Sequence, residues 1–402
     1  VKFGKKPTRI DTDYKFSKIY IDKAAADDEI TRRVVDEFPR MKAEIVAASP
    51  EFQERLNRLT PTEGKRILWL THFKGNFLKP CPGTADSYRC CNYLVINETT
   101  NCPIDCTYCI LQGYISNPAI TIYTNYQKII DEIANVSGKN PLRILRIGTG
   151  ELTDSLALDP VTRLSEKLMK SVQRLPNVLL ELKSKTDHID HLLPLNPEKI
   201  VLSWSVNPAE LVRSDEHKSI KLEARLKAAR NAAERGFLIG LHFDPIIFLP
   251  EWKQMYLELI ELIGDYVDPG RIAWISLGSL RYPPHLKEII RSRFPRSRIF
   301  SGEQISGKDG KTRYIRPLRL EMYRMIYSAL QEKLGDVFIY FCMESEDMWR
   351  EVTGRSPANN SEIDYYFAEY LTAKFPELSL PNPVTQLYQS AINWGKKPGA
   401  KT

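Results

Sequence analysis

The sequence predicts an α/β fold: a partial barrel of six βα units, preceded by a helical segment and followed by an α+β extension. Three observations carry that expectation. Short β-rich runs alternate with helical stretches from about residue 92, three cysteines crowd directly after the first run, and the pattern turns basic and less regular after Pro283. The alternation implies parallel strands, because parallel neighbours need a crossover connection and a helix supplies it.

Residues 28–60 read as helical, since Val34, Phe38, Met41, Ile45 and Val46 recur at helical spacing with Pro50 as a break. Ile67-Leu68-Trp69-Leu70 follows, and the Gly/Pro/Cys-rich stretch 74–83 must be a loop. Strands are expected at 93–97, 143–147, 178–182, 200–206, 238–243 and 272–277, with helices near 125–136, 161–174, 219–235 and 251–265. Further helices near 318–334 and 345–352 flank a strand at 337–341. The chain divides into an N-terminal segment (1–85), the barrel (86–280) and a basic extension (281–402) that completes the substrate site.

With 402 residues and 43% hydrophobic content the chain can bury a sizeable core. Its opening, Val1-Lys2-Phe3-Gly4, lacks the apolar centre of a secretion signal, and no stretch has the ~18 apolar residues of a membrane span, so a cytoplasmic protein without a membrane partner is expected. Six of the seven cysteines fall between Cys81 and Cys109, a clustering that points to metal or redox chemistry rather than a disulfide scaffold. Residues 281–324 carry a net charge of +8 and the whole chain +7, so the excess is local and suits a polyanionic partner.

Cys102, Cys106 and Cys109 have the spacing C-x3-C-x2-C directly after the first strand. Three thiolates so close together can wrap one face of a [4Fe-4S] cluster, leaving the fourth iron open to a small molecule. Structural zinc takes four closed ligands, and this motif supplies three.

That spacing resembles the radical S-adenosylmethionine (SAM) superfamily. The resemblance implies that SAM chelates the open iron and is cleaved to a 5′-deoxyadenosyl radical that abstracts hydrogen from the substrate. It also implies SAM contacts in strand order. Tyr108 lies within the cluster loop, and Gly148-Thr149-Gly150-Glu151 ends strand two, where Gly148 and Gly150 permit close approach and Glu151 suits an ammonium. Lys185 follows strand three, Ser205 and Asn207 end strand four for the ribose, and Gly236 to Gly240 admit the adenine. His242 and Asp244 end strand five, facing adenosine or substrate, with a satisfied core histidine as the alternative for His242.

Within the superfamily the chain is similar to the spore photoproduct lyase family over roughly residues 70–345. The likeness rests on Cys106 to Gln112, on Lys185 to Leu193, on Ser203-Trp204-Ser205-Val206-Asn207, on the stretch 236–245 before Trp252, and on Arg313-Tyr314. It implies a damaged nucleic acid base as substrate, contacted by Arg313 and Tyr314, and an electron donor such as flavodoxin or ferredoxin. Two positions depart from the family. A hydrogen-donating cysteine is expected after strand two, where this chain reads Gly150-Glu151-Leu152-Thr153-Asp154, and a relay tyrosine after the third cluster cysteine is Ile110. A lyase-like homologue is therefore expected, to which the family's own hydrogen return does not carry over and for which a different substrate stays open.

Cys81, Cys90, Cys91 and Cys342 are packing thiols, a redox pair, ligands of another metal, or replacement hydrogen donors. His188 and His191, at i, i+3, suggest a metal site but lack a further ligand nearby and read as helix-surface or packing residues, while His72 and Lys74 are candidates to line a pocket. Tyr282, Phe294, Phe300, Tyr314 and Tyr323 interleave with cations in the basic stretch, a composition suited to phosphates and stacked bases, and Arg313, Arg316 and Arg319 are its candidate phosphate contacts. Two alternatives stay open: the same chemistry on a small molecule or peptide, and a non-catalytic metal protein that binds nucleic acid.

Overall fold

Seven parallel strands form the main sheet of the computed structural model, which describes residues 14–83 and 87–394. The expected division at 85/86 and the opening residues lie outside the described residues. In chain order the strands are β1 (Leu94–Ile96), β2 (Leu145–Gly148), β3 (Val178–Ser184), β4 (Ile200–Ser205), β5 (Leu238–Ile246), β6 (Ile272–Ser279) and β7 (Ile339–Phe341). Each pairs with the next in parallel register, and Leu78–Pro80 lies antiparallel against β1 as the outer edge.

The sheet curls into a half-barrel with helices between its strands. These include α1 (Gln127–Lys139), α2 (Leu164–Val172), α3 (Leu222–Glu234), α4 (Trp252–Tyr266) and α5 (Arg316–Leu334). Helix α1 buries Ile129, Ile133 and Val136, one stripe at helical spacing, whereas β4 is buried along its whole length. The six expected strands are all present. The strand expected at 337–341 is the seventh member of the same sheet, so the C-terminal stretch helps to build the barrel wall.

The N-terminal segment differs from its expected helical character. Helices Glu29–Glu37 and Pro50–Asn57 are separated by a strand, Ala43–Val46. That strand joins Lys18–Asp22, Ile67–Thr71, Ile120–Tyr123 and Thr99–Thr100 in a second, five-stranded sheet. Val34 and Phe38 are buried but Ile45 is 61% exposed, so the apparent helical stripe spans two elements of different kind. Between β1 and β2 the chain crosses into this sheet twice, at Thr99–Thr100 and Ile120–Tyr123, and the cysteine loop hangs between those visits.

Candidate functional site

The loop Cys102 to Cys109 begins just past β1 and is locked by charges outside it. The buried Lys65 ammonium donates to the carbonyl oxygens of Cys102 and Ile104, both at 2.6 Å. Arg293 clamps the Asp105 carboxylate with two bonds of 3.0 and 3.1 Å. Gln112 donates to the carbonyls of Thr107 and Cys109, and Asp105–Cys106 pairs antiparallel with Glu216–His217. Backbone carbonyls fixed by charged donors hold a loop more firmly than neutral bonds do.

Cys102 and Cys106 are buried, Cys109 is half-buried, and all three are free thiols. Burial pushes Cys102 up to about 12 and raises Cys106 as well, so the thiolate that binds metal forms when a metal cation replaces the proton. Beside them the Thr107 Oγ1 is buried without a partner. Among the described residues no three His, Cys, Asp or Glu side chains close on a single ion, a cage that thiolates bound to separate irons of one cluster do not need. In donor chemistry and burial this loop fits an iron–sulfur cluster.

Next to the loop stands Glu216, which the sequence reading did not single out. Its carboxylate meets Arg225 at 2.5 Å, Lys185 at 3.2 Å and the Asn207 amide at 2.9 Å, and accepts the Tyr108 hydroxyl. Burial opposes the charge, but the two cations outweigh it and hold the carboxyl at about 2. Three expected SAM-contacting residues, Tyr108, Lys185 and Asn207, therefore converge on one carboxylate. Ser205 is buried at the end of β4, and its carbonyl accepts from Arg225 at 2.9 Å. Glu151 is half-buried after β2, where burial raises its carboxyl.

A second buried carboxylate, Glu181, occupies the middle of β3. It accepts from Ser203 at 2.5 Å, His242 at 2.7 Å, Trp274 at 3.0 Å and the Tyr93 hydroxyl. His242 is thus the satisfied core histidine, not a free ligand contact. A Cβ on Gly148 would run into the Tyr93 hydroxyl, and one on Gly240 into Ser203 Oγ, so both glycines make room for this network. Gly236, at φ +91°, turns the chain into the start of β5. Gly150 lies against Lys183 and Ser155, and Asp244 is held by Arg281 at 3.2 Å.

Arg313 and Tyr314 do not stand free for a lesion. Arg313 is 2% exposed, pairs with Asp309 at 2.7 Å and lies over the Tyr88 ring, while the buried Tyr314 hydroxyl bonds Phe248 N and Ile299 O. Arg319 is buried against Glu344 at 3.0 Å, so neither it nor Arg313 is an open phosphate contact, while Arg316 is exposed and paired with Glu351 at the surface. Tyr282 and Tyr323 are buried too; only Phe294 and Phe300 of the interleaved aromatics are partly exposed. Among the described residues, the exposed cations of this stretch that pair with no carboxylate are Arg291, Arg296 and Lys308. A cavity of about 410 Å³ between the cluster loop and this stretch is lined by Thr107, His217, Phe294, Arg296 and Arg298.

His191 is bound to Asp159 at 2.5 Å and His188 faces the Leu156 carbonyl, as expected of packing residues. His72 pairs with Asp28 at 2.7 Å, and the Lys74 carbonyl accepts from Lys128. Cys81, Cys90, Cys91 and Cys342 gather where the two edges of the half-barrel meet, beside a backbone bond from Arg89 to Glu344 of 2.7 Å. Glu181 had a sequence signal, a charge inside the apolar run Val178-Leu179-Leu180-Glu181-Leu182 that demands buried partners. Lys65 and Glu216 had none, because their partners are distant in sequence.

Comparison with known proteins adds a consistent set of likenesses. The family model described as spore photoproduct lyase matches residues 79–342. A spore photoproduct lyase of a Geobacillus strain is 26% identical over 204 residues, 50% of this chain and 60% of that protein. The one from Bacillus subtilis is 23% identical over 209 residues, 51% of this chain and 61% of the relative. These matches span less than two thirds of the relatives. A solved mutant spore photoproduct lyase with bound AdoMet and dinucleoside spore photoproduct superposes with a TM-score of 0.72 at 19% identity, covering 84% of this chain and 100% of that one, which is a likeness of fold.

Proposed function

The chain belongs to the spore photoproduct lyase family, and on that premise we propose that it is a radical SAM enzyme acting on a damaged or modified nucleic acid base. The observation that carries this reading is the loop of Cys102, Cys106 and Cys109, fixed by Lys65 and Arg293 at the carboxyl end of β1. When bound, a [4Fe-4S] cluster on these thiolates and SAM on its open iron would supply a hydrogen-abstracting radical. Flavodoxin or ferredoxin is the proposed electron source.

The chain's own residues then have distinct tasks. Glu151 after β2 is the candidate partner for the SAM ammonium, with Gly148 and Gly150 beside it. Lys185, Ser205, Asn207 and Tyr108 form the polar wall of the SAM site, and Glu216 with Arg225 fixes three of them in place. Glu181 and His242 support the barrel interior behind them. Arg291, Arg296 and Lys308 with Phe294 and Phe300 are the candidate nucleic-acid rim, cations for phosphates and rings for an unstacked base.

Anaerobic reconstitution with iron and sulfide, reduction by dithionite and addition of SAM tests the reading. Release of 5′-deoxyadenosine is the expected result, and protein that binds zinc at these thiols or leaves SAM intact overturns it. Salt-dependent binding of single-stranded DNA should weaken when Arg291, Arg296 and Lys308 are replaced by Gln. Unchanged binding would favour a small-molecule or peptide substrate.

A further inference from the structure

The four cysteines outside the cluster loop come from three stretches of chain and meet at one place. Cys81 follows the edge strand Leu78–Pro80, Cys90 and Cys91 lead into β1, and Cys342 follows β7. The Cys90 thiol is within hydrogen-bonding reach of both the Cys81 and Cys91 sulfurs, and Cys342 is near enough for its charge to act on them. Cys81 Sγ and Met343 Sδ lie 3.5 and 3.2 Å from where a Gly83 Cβ would sit, so Gly83 packs directly against this group.

The four are not equivalent. Cys81 is half-buried, whereas Cys90 is 2% and Cys91 6% exposed. The hydrogen bond from Cys90 brings Cys81 down to about 7 against the effect of burial; the Gly83 backbone and Lys183 help and Glu151 opposes. Cys90, the donor in that pair, is raised. Cys342 receives a bond from Arg281 at 3.1 Å, but burial keeps its thiol protonated. Cys90 and Cys91 are adjacent residues, a spacing that resists bridging. A half-buried thiol with a fully buried one against it is the arrangement of an attacking and a resolving cysteine.

We propose that Cys81 and Cys90 form a thiol–disulfide exchange site for low-molecular-weight disulfides, with Cys81 attacking and Cys90 resolving. The Cys81 thiolate attacks one sulfur of the small disulfide; the S–S bond breaks, a mixed disulfide forms and one thiolate leaves. The Cys90 sulfur then displaces the second small thiol, which takes the Cys90 proton. The protein gains a Cys81–Cys90 disulfide and two equivalents of small thiol are released, so the protein is oxidised by two electrons and the disulfide reduced by two.

Protein without reconstituted cluster is incubated anaerobically with oxidised glutathione, quenched with acid, alkylated and mapped by mass spectrometry. The expected product is a peptide pair joined through Cys81 and Cys90. Cys90→Ser should instead accumulate glutathione on Cys81, and Cys81→Ser should leave Cys90 unmodified. Alkylation of Cys81 by iodoacetamide should slow about tenfold per pH unit below 7. Adducts that appear first on Cys91 or Cys342, or absence of the Cys81–Cys90 link in the wild-type chain, overturn the proposal. So does a metal ion retained by this group after Cys102, Cys106 and Cys109 are replaced by Ser. None of these readouts depends on SAM cleavage.

Discussion

The two cysteine-bearing regions use the same side chain under opposite conditions. In the cluster loop, burial raises Cys102 and Cys106, and the fixing charges act on backbone carbonyls and on Asp105. At the meeting of the barrel edges, a neighbouring thiol lowers Cys81, although Cys90 beside it is raised. The difference teaches that proximity of sulfurs does not decide their chemistry. On the proposed roles, the thiols that take a metal sit where a cation must draw off their proton, and the thiol that attacks sits beside a hydrogen-bond donor.

The sharpest test of that contrast is substitution in each region. Cys106→Ser should abolish iron loading and 5′-deoxyadenosine release, while Cys90→Ser should retain iron; equal iron loss in both would merge the two regions into one site. Each region also stands beside a buried carboxylate, and these distinguish them further. Glu216→Gln leaves Arg225 and Lys185 buried without their counter-charge, a loss of about 3–5 kcal/mol measurable by urea unfolding at pH 7.

Glu181 lies on the side of the second region, through Tyr93, whose carbonyl accepts from Cys81 N at 2.8 Å. Its folded carboxyl is held at about 2, below the ordinary 4.5: burial opposes the charge and the contacts with His242, Ser203 and Tyr93 prevail. A depressed carboxyl stabilises the fold fully above its unfolded value and loses that contribution as pH falls from about 4.5 towards 2. The contribution is about 3 kcal/mol, and Glu181→Gln should lack this part of the acid slope in urea titrations across that window. The smallest expected effect is Lys65→Met, which frees the Cys102 and Ile104 carbonyls. It should cost about 2 kcal/mol and speed iron loss to a chelator, with alkylation of Cys81 unchanged.

Periodicity and motif spacing made the six barrel strands, their helices and the C-x3-C-x2-C loop legible, because each is a pattern local in sequence. The N-terminal segment misled for the same reason: Val34, Phe38 and Ile45 mimic one helical stripe, though Ile45 sits on a strand in another sheet. Arg313 and Arg319 looked like a phosphate-binding face because a charge count cannot see Asp309 and Glu344 folding over them.

What the sequence alone determined, then, was the alternation that forces a parallel sheet and the three thiols placed at its first strand. Only the tertiary structure decided that Glu216 gathers Tyr108, Lys185 and Asn207, that Glu181 claims His242, and that Cys342 joins Cys81 and Cys90 from the far edge of the sheet. The physical reason is range. Strand and helix preferences are set by neighbours a few residues away, whereas the partner of a buried charge or thiol is whichever group the curled sheet brings within a few ångströms, at any separation along the chain.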